Sequence, residues 1–380
     1  HVAGRDVASS VTYTDLENAE HVVLVAFEPE DETPIVFLRL RKAARDKGLK
    51  VSTIAPFISR GSKKMQATLV PAAPGEEAAA LEGLELDAGT IILVGERAAT
   101  LPGVLSAVAA KAEASGARFA WMPRRAGDVG ALDAGCLPGL LPGGRPVSDA
   151  AARVDVATAW GVDSLPSDTG LTADEQFAAL ASGRLKALVV SGVEVGDLSD
   201  PAAARAGLEA ADFVVSIEQR PSEITERANV VFPAALIEEQ AGHFRNWESR
   251  SLDVGLVTAA PASTMTDLRI LAALADALGS DLGFRTPGAA WSSFSELLDW
   301  DGAKVAAPSV AAEGRADGVL LSSWRELLDD SRGNDNEVAL RQTARDIVAR
   351  VSPATADKLG LNGAVRVSAD GRAQELPVAI

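Results

Sequence analysis

The run HVVLVAF at 21–27 and the run LKVSTIAP at 49–56 bracket a helical stretch, and this unit constrains the fold more than any other feature. Near-continuous β-branched runs suit strands buried on both faces, which means a parallel sheet with helices above and below it. Thr33 stands at the N-cap of the intervening helix, Pro34 in its first turn, and Gly48 just past its last. Those are start and stop signals of a single well-bounded helix.

The pattern repeats. TIILVGE (90–96) and ARFAWMP (117–123) flank an Ala-rich helix over 102–115. GCLPGLLPGGRP (135–146) is too rich in Gly and Pro to continue it and reads as loop. A second series then begins. Thr172 and Glu175 make a capping box for a helix over 173–182, which Gly183 ends. LKALVVSG (185–192), a helix opened by Asp200-Pro201, DFVVSIE (212–218) and RANVVFP (227–233) follow.

Strands alternating with helices place the chain in the α/β class, as two Rossmann-like lobes with mostly parallel sheets. The lobes span 1–134 and 166–285, joined by a Gly/Pro-rich connecting loop over 135–165. TDLRILAALADALG (266–279) puts Leu271, Leu274 and Leu278 on one apolar helix face. Residues 286–345 read as a connecting helical region, and 346–380 as the truncated start of a β-rich domain. A chain that opens on His1 and stops at Ile380, straight after a strand-like run, reads as the interior of a longer polypeptide.

Composition narrows the function. A net charge of −17 argues against nucleic acid and anionic lipid as partners. The densest basic run, RLRKAAR at 39–45, fits a solvated or partner-facing helix side. The lone Cys136 excludes a disulfide framework, a Cys-ligated zinc site or an iron–sulfur cluster built from this segment. No apolar run reaches the 18 or so residues of a membrane span, so no direct membrane insertion is expected.

Standard catalytic and nucleotide motifs are missing: there is no G-x-G-x-x-G, P-loop, H-E-x-x-H or G-x-S-x-G. His1 is terminal, His21 precedes a strand, and His243 sits in AGHFRNWESR, which reads as a loop between helical segments. Each is weighted toward a structural or surface role. Cys136 has no cationic neighbour in sequence to activate it.

One local feature runs against the fold class. The turn leaving the first strand, AFEPEDETP (26–34), lies where an α/β protein commonly cradles a phosphate on free amides and a helix dipole. It carries Glu28, Glu30, Asp31 and Glu32, and the corresponding turn of the second lobe carries Glu194, Asp197 and Asp200. Carboxylates there repel an anion and can satisfy the helix N-termini themselves.

The most specific stretch is 227–250, RANVVFPAALIEEQAGHFRNWESR. Strand, proline, short helix, then Glu239, Gly242, Phe244, Asn246, Glu248 and Arg250 resemble a signature of the molybdopterin oxidoreductase superfamily. That pattern is A-D-V-V-L-P, an acidic residue, G-T-F, N and E-G-R. The match departs at His243, where the family favours Thr, and at Ser249, where it favours Gly. ALDAGCLPG resembles the family's D-x-G-x-x-P loop. LRQTARDIVARVSPATADKLGLNGAVRVS resembles the start of its C-terminal β-barrel domain. Arg245 and Arg250 are expected to pair with Glu238, Glu239 or Glu248.

Within the superfamily, FEPEDETPIVFLRLRKA and SGVEVGDLSDP resemble the G-subunit family of bacterial NADH-quinone oxidoreductase, respiratory complex I, of an actinobacterial kind. The resemblance implies 2Fe-2S and 4Fe-4S clusters upstream of this segment. It implies partners among the other peripheral-arm subunits and a place on the cytoplasmic face of the plasma membrane. Within the segment it implies a cofactor-free scaffold with no catalytic residue, metal ligand or small-molecule substrate. Glu239, Gly242, Asn246 and Arg250 would then be vestigial signature positions. The alternative is a fragment of an active molybdopterin-dependent oxidoreductase such as a formate dehydrogenase, its metal ligand lying upstream. A stand-alone small-molecule-binding α/β protein is a weaker third reading.

Overall fold

The computed structural model describes residues 2–305, 319–328, 333–369 and 372–380. His1 and parts of the connecting region 286–345 lie outside them. Strands β1 (His21–Val25), β2 (Lys50–Ala55), β3 (Thr68–Pro71), β4 (Thr90–Val94) and β5 (Arg118–Trp121) form a parallel sheet in the order β3-β2-β1-β4-β5. The four strands expected from the apolar runs are present. The additional β3 is a short edge strand ending on Pro71, too polar and brief to stand out as a run.

Two cores lie on opposite faces of this sheet. Val22, Leu24, Val51, Ile91 and Leu93 pack with Val36, Phe37 and Leu40 of the helix Pro34–Lys47. Val23, Val25, Ile54, Ile92 and Val94 pack with Val104 and Val108 of the helix Val104–Ser115. Each fully buried Val, Leu or Ile contributes roughly 1.5–3 kcal/mol, so the double-sided pattern that predicts a parallel sheet also stabilises it.

The connecting stretch 135–165 is loop only in part. It holds the two-residue strands β6 (Leu140–Leu141) and β7 (Arg145–Pro146), which pair with each other. It also holds a helix, Ala150–Trp160, whose N-terminus Asp149 caps by accepting from the Ala152 amide. The Gly/Pro loop wraps Arg145, which is fully buried. Its guanidinium pairs with Asp155 at 2.6 Å, donates to the Pro142 and Leu297 carbonyls, and lies 4.7 Å from the Trp300 ring centroid.

The second lobe holds a parallel sheet, β8 (Ala187–Ser191), β9 (Phe213–Glu218) and β10 (Val230–Pro233), in the order β10-β9-β8. The Thr172–Glu175 capping box forms as read, and Gly183 takes the left-handed φ of +72°. An antiparallel hairpin follows, β11 (Gly242–Arg245) with β12 (Ser251–Val254), where the sequence reads as loop. The helix Asp267–Ala277 buries Ile270 and Ala272 rather than the Leu271/Leu278 face, so those two leucines are exposed.

Residues 325–380 form a second compact unit, separate from 1–324. In it β13 (Ala349–Arg350), β14 (Ala364–Ala369) and β15 (Arg372–Ala379) make a three-stranded mixed sheet, and the unit also holds a short helix, Pro353–Leu359. This sheet stands where the sequence leads to a barrel domain; three strands alone do not close a barrel. Among the described residues no helix is long and apolar enough to cross a membrane.

Candidate functional site

In an open parallel sheet the ligand crevice lies outside the carboxyl ends of the strands, where strand order reverses. Here the reversal falls between β1 and β4, so the loops after Val25 and Val94 define the crevice. The structure brings those loops together until little space remains. Ala26 is held at φ +48°, a left-handed conformation that costs a non-glycine residue about 1–2 kcal/mol. Gly95 faces it. A Cβ on Gly95 would collide with the Ala26 carbonyl oxygen and lie 3.0 Å from Glu32 Oε2. Gly95→Ala is therefore expected to lower stability by about 1–3 kcal/mol, seen as an earlier denaturant midpoint. An unchanged midpoint would mean that the two loops separate readily.

Four of the turn's amides are already committed. Glu28 N–H donates to Glu32 Oε1 at 2.7 Å, Asp31 and Glu32 N–H donate to the Glu28 carbonyl, and Thr33 N–H donates to that of Pro29. Residues Pro29–Glu32 thus form one closed helical turn abutting the next helix. Thr33, at the expected N-cap, also ends that turn, and its side chain makes no capping bond to the helix above it. The Thr33 hydroxyl is buried without a hydrogen bond to another protein group, as are Glu28 Oε1 and Arg97 Nε.

The carboxylates differ in environment. Glu30 pairs with Arg60 at 3.3 Å and with Lys64. Asp31 accepts from Trp324 Nε1 at 3.1 Å, and that indole packs on Phe57 and over Arg97, covering the turn. Glu28 is 8% exposed, and burial raises its pKa above the ordinary carboxylate value. Burial likewise pushes Glu32 up to about 7, against the pull of the Glu28 amide and of Arg97, 4.0 Å away.

In the second lobe Asp200 Oδ1 accepts from the Ala202 and Ala203 amides, both at 3.0 Å, and so closes the N-terminus of the helix Pro201–Ala210. Asp197 pairs across to Arg125 of the first lobe at 3.2 Å. The cations at these turns, Arg60, Lys64, Arg97 and Arg125, are paired with the turns' own acids. A carboxylate about 4 Å from a phosphate charge would add repulsion of roughly 1–4 kcal/mol, depending on local polarity.

The signature stretch 227–250 is a fastening. Asn246 Oδ1 accepts from the Glu248 and Arg250 amides and shapes the tip of the β11–β12 hairpin. Glu248 takes the Tyr13 amide at 2.9 Å and pairs with Arg250 at 3.2 Å, as the sequence suggests for Arg250. Ser249, where the family has Gly, adopts φ +61° and shares a 2.7 Å hydrogen bond with Ser10. Trp247 meets Tyr13 edge-on at 4.9 Å. Arg245 departs from expectation. Its partner is Asp133 of the ALDAGCLPG loop, at 2.6 Å, and it also donates to the Arg5 carbonyl. Glu239 and Gly242 stand apart from this group: Glu239 accepts from the Leu236 amide, and Gly242 opens β11.

Of the other residues singled out, His21 is half-buried beside Ser52 Oγ at 2.8 Å, and burial lowers its pKa. His243 stacks on Trp291 at 4.5 Å, beside an open hollow of about 280 Å³ also lined by Leu268, Pro287 and Phe294. Cys136 is exposed. Among the described residues no group of three or more His, Cys, Asp or Glu is placed to hold a metal ion.

Comparison with known proteins gives the geometry a family. The molybdopterin oxidoreductase family matches residues 3–277, and the chain belongs to that family. Over its whole length it is similar to the G subunit of NADH-quinone oxidoreductase from Mycobacterium bovis, at 48% identity, covering 100% of this chain and 49% of that protein. The corresponding G subunit of Streptomyces coelicolor is 41% identical, covering 100% of this chain and 50% of that protein. The chain thus spans about half the length of these relatives. Among solved structures, acetylene hydratase from Pelobacter acetylenicus shares the fold with a TM-score of 0.56 at 14% identity, covering 100% of this chain and 71% of that one.

Proposed function

We propose that this chain is the molybdopterin-enzyme-like portion of the G subunit of a respiratory NADH-quinone oxidoreductase, and that it serves the complex as architecture. In this reading it binds no pterin, metal or small substrate. The 2Fe-2S and 4Fe-4S clusters lie elsewhere in the longer polypeptide, and the domain packs among peripheral-arm subunits on the cytoplasmic face of the membrane.

The observation that carries the cofactor-free reading is the filled switch point. The residues at the crevice between β1 and β4 fit a pyrophosphate poorly: the Glu28, Asp31, Glu32 and Thr33 amides are spent internally, and the turn's side chains are mostly acidic, with Arg97 drawn to Glu32. Full-length similarity to the two actinobacterial G subunits supports the assignment to complex I. The helix Pro34–Lys47, which leaves Arg41 and Lys42 exposed on a strongly acidic chain, supplies a face for an acidic neighbour.

A scaffold transfers no electrons and no substrate protons. Replacing Glu28 and Glu32 together with Gln in the intact complex is therefore expected to leave NADH:quinone turnover per assembled complex unchanged. Loss of turnover, with the polypeptide present at full stoichiometry, would contradict the reading.

A further inference from the structure

The switch point of the first sheet has an occupant from far along the chain. Phe57 stands in the loop after β2, Asp31 in the turn after β1 and Arg97 in the loop after β4. The three thus come from the carboxyl ends of three neighbouring strands. All three meet one side chain, that of Trp324. Its Nε1 donates to Asp31 Oδ2 at 3.1 Å, across 293 positions of sequence. Its ring centroid lies 5.6 Å from that of Phe57, with 40° between the ring planes. The Arg97 guanidinium stands over the indole, 5.9 Å from its centroid.

Each contact uses a different property of an indole. Its N–H needs an acceptor once it leaves water, and the buried Asp31 supplies one. Its apolar surface packs on the Phe57 ring, and its negative face attracts a guanidinium. An acceptor, an aromatic ring and a cation around one position select a flat, electron-rich ring that carries an N–H donor. That position is where an open parallel sheet takes its ligand. The segment that brings Trp324 there, 319–326, forms no helix or strand, and its Leu321 is 73% exposed while Trp324 is half-buried. Tertiary contacts, not secondary structure, therefore fix the indole.

We propose that the crevice serves as a receptor for the chain's own indole: Trp324 is a built-in ligand that latches the segment 319–326 across the loops after β2, β1 and β4. The latch rests on the proposed closure of this crevice to a pyrophosphate, and it gives the closed crevice a task. It fixes the last residues of the first compact unit, which ends at Trp324.

The test is hydroxyl-radical oxidation of Trp324 in the full-length polypeptide within its complex, read by mass spectrometry against the same polypeptide in denaturant. The expected result is slow oxidation in the complex, rising about 2- to 10-fold in Phe57→Ala, the range that loss of one aromatic contact gives. Asp31→Ala should act in the same direction. Trp247, packed on Tyr13 beside the first core, should keep its protection in both variants and so report that the lobe is folded. Oxidation of Trp324 in the complex as fast as in denaturant would overturn the latch. So would an unchanged rate in Phe57→Ala with Trp247 still protected. Trp324→Ser, at a half-buried position outside any helix or strand, is a second reading. It should quicken tryptic cleavage after Arg325, and an unchanged rate would also overturn the latch. None of these failures touches the closure itself, which the molybdenum and pterin content of the complex decides.

Discussion

Removal of the Asp133 carboxylate is expected to lower stability by about 3–5 kcal/mol, the loss typical when one partner of a buried ion pair is deleted. Asp133 is 1% exposed and Arg245 7%, and the two meet at 2.6 Å. Asp133 also takes the Gly4 amide at 2.8 Å, so Asp133→Ala strands two donors at once. Burial pushes the Asp133 carboxyl above its usual range, and the Gly4 amide and Arg245 oppose that push. Through Arg245 the same cluster holds the Arg5 carbonyl and Ser251, and so ties the N-terminal segment, the first lobe and the hairpin together. The double variant Asp133→Ala, Arg245→Met removes the stranded cation and should recover part of the loss. Chemical denaturation of the single and double variants measures both effects. If the double variant is no more stable than Asp133→Ala, the damage lies in lost packing and not in an unpaired charge.

The second large effect is a pH dependence centred on Glu32. Its carboxyl titrates at about 7 in the folded chain against an ordinary value of 4.5. A folded-state value above the unfolded one means that the folded chain holds the proton more tightly. The stabilisation is then complete below about pH 4.5 and is lost as the pH rises through about 7. At 1.36 kcal/mol per unit, the difference amounts to about 3 kcal/mol at full loss. Glu32→Gln keeps an acceptor for the Glu28 amide without ever charging. It should therefore raise the thermal midpoint at pH 8 and change it little at pH 5. An equal effect at both pH values would show that Glu32 is not buried as an acid.

Much of this fold is legible in the sequence because the signals are local. The capping box at Thr172 and Glu175 and the Asp200-Pro201 helix start depend on residues a few positions apart, and both form as read. The parallel sheets follow from unbroken apolar runs. The pairing of Arg245 with Asp133, 112 residues apart, carries no such signal: both residues stand in recognisable motifs, yet only the folded chain joins them. Arg145 is hidden for the same reason, since nothing in a Gly/Pro-rich loop marks an arginine as its buried centre. The hairpin at 242–254 has no clear sequence signal because its strands are four residues long and mixed in polarity. Leu271 and Leu278 obey helical periodicity but face solvent, since periodicity identifies an apolar stripe without saying what covers it.

At the switch point the sequence shows the acids, and the structure shows where the amides go. Acidic residues alone could be ordinary helix caps. Amides consumed within the turn, with Gly95 pressed against Ala26, favour the cofactor-free reading over ordinary capping.

The decisive quantity is the content of molybdenum, tungsten and released pterin in the purified intact complex, measured per copy of this polypeptide alongside iron. A filled switch point predicts iron with neither metal nor pterin at any meaningful stoichiometry. One equivalent of molybdenum or tungsten with pterin would refute it and make this domain the seat of a reaction.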